Sequence, residues 1–62
     1  MSSSARAQFI EAGMHLYPQY GYRRLSVRLL AAQSGLSSGM FHHLFASKAD
    51  FVAELLENQN AD

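Results

Sequence analysis

The sequence predicts a small all-α domain: a helical bundle of three helices plus the start of a fourth connecting helix, with the second and third joined as a helix-turn-helix. Three observations carry this expectation. Apolar residues recur at i, i+3 and i+4 along four segments, the spacing that gathers them on one helical face. Gly35 and Ser37 stand between the second and third segments as a stop signal and a start signal. The chain has 62 residues and no cysteine, so it allows one small domain with neither a disulfide framework nor a thiolate metal site.

Ser2, Ser3 and Ser4 form a short polar arm, one member of which can cap the helix that follows. Helix one is expected over about 4–20, where Phe9, Ile10, Gly13, Leu16, Tyr17 and Tyr20 make an apolar stripe. Pro18 forfeits an N–H bond and crowds the preceding turn, so a kink or early stop is expected near Tyr17. Gly21 then ends the segment, and Tyr22, Arg23 and Arg24 connect it to helix two, expected over about 27–34. Val27, Leu30, Ala31 and Ser34 share one face of that helix. Ser26 stands at its start, and Gly35 can end it in the left-handed conformation that glycine adopts without steric cost.

Ser37 can accept a hydrogen bond from a free backbone N–H and so open the recognition helix, expected over about 37–44, with Phe41, Leu44 and Phe45 on one side. Ala31, Gly35 and Phe41 have the spacing of a helix-turn-helix: a small residue for close crossing, a glycine for the turn, a large apolar residue to lock the second helix. Ser47 and Asp50 have the spacing of a capping box, so helix four should cover about 48–60. Phe51, Val52, Leu55 and Leu56 lie on adjoining stripes wider than so small a domain needs. They either cover helix one or leave part of the face for another partner. Asn58 to Asp62 is a polar terminus.

Formal net charge is zero, but the charges are not evenly placed. Arg6, Arg23, Arg24, Arg28 and Lys48 all lie at or before Lys48, where the only acid is Glu11; Asp50, Glu54, Glu57 and Asp62 follow it. The helix-turn-helix half is therefore basic, as a nucleic-acid partner requires. No apolar run approaches membrane-spanning length and the N-terminus lacks an apolar h-region, so a soluble protein is expected. The absence of cysteine fits a reducing cytoplasm.

Gly21 and Tyr22, followed by LSVRLLAAQSGLSSGMFHHLFASK from Leu25 to Lys48, resemble the DNA-binding domain of the TetR family of bacterial transcriptional repressors. The matching residues are Gly21, Tyr22, Ser26, Val27, Arg28, Leu30, Ala31, Gly35, Leu36, Ser37, Gly39, Phe41, Phe45, Ser47 and Lys48, and the domain that the resemblance implies covers nearly the whole chain. It implies a homeodomain-like helix-turn-helix domain over 1–62 that binds double-stranded DNA at a palindromic operator. It also implies repression relieved by a small-molecule effector, with the effector site and the homodimer interface in a C-terminal domain absent from this chain. No cofactor is implied.

The residues indicate how such a domain would read DNA. Ser38 and His42, like Gly39 and His43, are four apart and form a polar face roughly opposite Phe41 and Phe45. Ser38 and His43 can bond base edges, Gly39 lets the backbone come close, and Met40 offers apolar contact to a thymine methyl. Ser26, Arg28, Ser37 and Lys48 sit at helix starts, where a phosphate is favoured by free N–H groups and cations together. His42 joins these phosphate candidates because the family usually carries a phosphate-contacting tyrosine at its position.

Two other functions compete. Ser37, Ser38, His42 and His43 could suggest an enzyme, but no acid lies nearby to orient a histidine and no nucleophile or phosphate-loop motif occurs. A metal at His42 and His43 is also poor, since adjacent helical side chains diverge by ~100°, and His15 has no ligand partner. A small helical protein–protein interaction module without DNA binding would suit the wide apolar face of helix four and the zero net charge.

Overall fold

A computed structural model describes residues 4–59, with only the backbone of Gln59. The described residues form four helices and no strand: α1 (Ala5–Arg24), α2 (Val27–Ser34), α3 (Ser38–Leu44) and α4 (Lys48–Gln59). The arm at Ser2 and Ser3 and the polar terminus from Asn60 lie outside the described residues. Each helix start is capped by a serine hydroxyl oxygen. Ser4 accepts from the Ala7 N–H at 3.1 Å, Ser26 from Leu29 at 3.0 Å, Ser37 from Met40 at 3.1 Å and Ser47 from Asp50 at 3.2 Å. At the other end of α2, Gly35 takes the left-handed conformation (φ 77°, ψ 14°), and the N–H groups of Gly35 and Leu36 both donate to the Ala31 carbonyl.

Pro18 does not interrupt α1. The helix passes through it, and Gly21 alone within α1 has non-helical backbone angles (φ 76°, ψ 174°). The fixed φ of proline suits a helix; its real cost is the bond lost by the Met14 carbonyl. Met14 and Pro18 both lie on the exposed side of α1, where water can supply the missing donor. Gly21 breaks the helix instead, in a region of backbone space that is essentially confined to glycine. A last turn then closes with the Leu25 N–H donating to the Gly21 carbonyl at 3.0 Å, and this delivers Leu25 fully buried into the core.

Helix α1 packs on each of the other three helices, and α2 on α3. Phe9, Phe41, Phe45 and Phe51 meet at the centre with Leu25, Leu30 and Leu55, while Tyr17, Tyr20, Val27 and Leu44 are half-buried around them. On α4, Phe51, Val52 and Leu55 all turn into this core, leaving Leu56 exposed. The wide stripe is thus used almost entirely within the domain.

Arg6, which its sequence position groups with the basic half, is not a free cation in the fold. It forms a two-pronged ion pair with Glu54, donating from Nε at 2.8 Å, and its guanidinium lies 4.9 Å from the centre of the Phe45 ring. A further N–H reaches the Leu44 carbonyl at 3.4 Å, one of the last carbonyls of α3 that the helix itself leaves unpaired. The pair is part-exposed, so about 1 kcal/mol is a fair ceiling for it. Its main effect is to tie α1, α3 and α4 at one point.

Gly13 is buried where α1 crosses α4, and a Cβ there would lie 2.8 Å from Phe51 Cζ and 3.2 Å from Leu55 Cδ2. Alanine would gain about 1 kcal/mol of helix propensity. Forcing apart a packed ring costs about 1–3 kcal/mol, and Phe51 is held by two other rings. Gly13→Ala should therefore lower stability by about 1 kcal/mol and the melting temperature by about 5 °C, read by circular dichroism. An unchanged or raised melting temperature would show that α4 can shift freely.

Candidate nucleic-acid interface

Helix α3 has one buried anchor and a wide exposed face. Phe41 is fully buried, whereas Ser38, Gly39, Met40, His42 and His43 are all exposed. At ~100° per residue, Gly39 and His43 point away from the Phe41 and Phe45 direction, with His42 on one flank and Met40 on the other, while Ser38 falls on the same stripe as Phe41 and Phe45 and is exposed as the first residue of the helix. The His42 ring stands nearly perpendicular to that of Phe41, with 5.6 Å between centroids. Gly39, Met40, His42 and His43 are therefore brought together on one surface, whereas Ser38, expected on the same face, lies at its edge toward the Phe41 side and is exposed only because it opens the helix.

Gly39 differs from the other glycines. Gly13 is required by a close crossing, and Gly21 and Gly35 by positive φ. At Gly39 the nearest atom to an added Cβ is Ser37 Oγ at 3.8 Å, so the fold has room for a side chain there. A helical glycine costs about 0.5–1 kcal/mol relative to alanine, and nothing inside the domain requires it here.

The other predicted residues sit on three helix starts. Ser26 and Ser37 already accept backbone N–H bonds as caps, which leaves each hydroxyl hydrogen free to donate outward. Arg28 is exposed in the first turn of α2 and bonds to no acid among the described residues. Lys48 is not a free surface cation: its Nζ donates to the Tyr22 carbonyl at 2.8 Å and lies 4.3 Å from the centre of the Tyr22 ring. No bond joins Ser26, Arg28 and Lys48 to one another. Two cations that the spacing did not single out, Arg23 and Arg24, are exposed at the end of α1, with the Arg24 guanidinium 6.0 Å from the Tyr20 ring centre. With Arg6 paired to Glu54, the cations left without an acid partner among the described residues are Arg23, Arg24, Arg28 and Lys48.

Among the described residues, no three His, Asp or Glu side chains are grouped to hold a metal ion, and no helix is long and apolar enough to cross a membrane. An open groove of about 470 Å³ between the start of α1 and α4 is lined by Ile10, Met14, Arg6 and Glu54 among others, and α3 contributes nothing to it.

The family model for bacterial regulatory proteins of the tetR family matches residues 9–55 of this chain. That span contains every residue of the exposed α3 face and all three helix starts with predicted phosphate contacts. The HTH-type transcriptional repressor KstR2 of Mycobacterium tuberculosis, in strain CDC 1551 / Oshkosh and again in strain ATCC 25618 / H37Rv, is 37% identical over 54 residues, covering 87% of this chain. The chain spans 27% of the length of those relatives. No solved structure matches it significantly.

Proposed function

The chain belongs to the tetR family of bacterial regulatory proteins and carries its helix-turn-helix DNA-binding domain, and from that premise we propose that α3 enters the major groove of double-stranded DNA. Ser38, Met40 and His43 then meet base edges, and Gly39 lets the α3 backbone approach them closely. Ser26, Arg28, Ser37, His42 and Lys48 hold phosphates on either side and set the register of the helix. The observation that supports this most strongly is the division of labour on α3: one fully buried phenylalanine fixes the helix, while five consecutive or near-consecutive side-chain positions are left exposed.

The description of the relatives as transcriptional repressors supports a larger role in repression. In this reading the domain is the operator-binding part of a cytoplasmic repressor with no catalytic activity. A homodimer built through a C-terminal regulatory region places two such domains on a palindromic operator, and a small-molecule effector bound in that region releases them. A protein-interaction role loses its main support, since the apolar face of α4 that suited it is largely covered by α1 and α3.

Arg28→Ala should weaken binding to operator and random DNA alike, because a phosphate contact carries no base information. It should also reduce the salt slope by about one, measured by fluorescence anisotropy across a salt series. A variant that lost only operator binding would remove Arg28 from the phosphate set. Gly39→Ala offers a sharper separation of fold from function. It should raise thermal stability by about 0.5–1 kcal/mol, since the fold has room for the methyl group. It should also lower operator affinity about tenfold, the cost of a displaced base contact. If the more stable variant binds as well as the parent, Gly39 does not approach DNA.

A further inference from the structure

Lys48 and Tyr22 are 26 positions apart, yet both contacts that confine the Lys48 ammonium come from Tyr22: a carbonyl oxygen at 2.8 Å and a ring centre at 4.3 Å. Gly21 makes the arrangement possible. Its backbone angles turn the chain out of the helix immediately before Tyr22, and no atom lies within 4 Å of where its Cβ would be, so the angles alone call for glycine. Tyr22 is neither in the buried core nor among the half-buried residues packed against it. It is 44% exposed, and its hydroxyl has no bonded partner among the described residues.

The chemistry of this holder is selective. A lysine side chain loses much rotamer freedom when it is fixed on a ligand, and one already confined loses less. The carbonyl uses one of three ammonium N–H donors and leaves two. The ring attracts the cation through its quadrupole without neutralising it, whereas a carboxylate in the same place would cancel the charge that a phosphate recognises. No acid pairs with Lys48 among the described residues.

We propose that Tyr22 is a positioning residue for DNA binding, presenting the Lys48 ammonium, charge intact, to a backbone phosphate. This rests on the DNA-binding reading above. The test is a double-mutant cycle on the chain, with binding to a labelled random duplex followed by anisotropy at several salt concentrations and folding checked by thermal melting. Tyr22→Phe keeps the ring and should bind as the parent does. Tyr22→Leu should weaken binding about threefold, the scale of an exposed cation–ring contact, and should have no further effect when combined with Lys48→Ala. An unweakened Tyr22→Leu overturns the proposal. So does a loss of equal size in both backgrounds, which would mean that Tyr22 acts on DNA independently. If Lys48→Ala has no effect, the proposal falls as well, and continued sensitivity to Arg28→Ala would show that DNA binding itself stands.

Discussion

The contact of four phenylalanine rings decides more of this structure than any other interaction. Phe9 comes from α1, Phe41 from α3, Phe45 from the residue that ends α3, and Phe51 from α4, with neighbouring centroids 4.9–6.1 Å apart and several pairs edge to face. They are all the phenylalanine the chain possesses. Helix α3 has seven residues, too few to be helical in isolation, so its existence depends on Phe41 and Phe45 being held by their neighbours. The direction in which Ser38, Gly39 and His43 point is set from inside the core.

Around that cluster the helices come close enough to be sensitive to single atoms. Gly13 lets α1 and α4 cross where even one methyl group would collide with Phe51. Arg6 then joins the same two helices to the end of α3 from the surface, through Glu54, the Leu44 carbonyl and the Phe45 ring. A domain of this size buries a limited fraction of its surface, and few of its contacts are redundant.

Features written within a few residues were legible in the sequence, and features made by distant residues were not. The caps at Ser26 and Ser37 and the turn at Gly35 are local hydrogen-bonding problems with few solutions, and the periodicity of Phe41 and Phe45 gives the inward face of α3 directly. Pro18 reads as a break in the sequence, but its penalty depends on whether water can reach the Met14 carbonyl, which only the packed helix decides. Leu25 looks like part of a connection and is fully buried, because the break at Gly21 redirects the chain. Arg6 reads as one more basic residue until the fold brings it to Glu54, 48 positions away. Lys48 was recognisable as a cation at a helix start, but its seat on Tyr22 depends on two elements meeting at the end of α1.

The placement of the tyrosines also gives the domain an optical property. The chain has no tryptophan and three tyrosines, Tyr17, Tyr20 and Tyr22, all within six residues at the end of α1. Tyr20 lies beneath Arg24 and Tyr22 beneath Lys48. Its intrinsic ultraviolet emission therefore originates in one corner, where α1 ends and α4 begins, so a probe of that corner needs no added label.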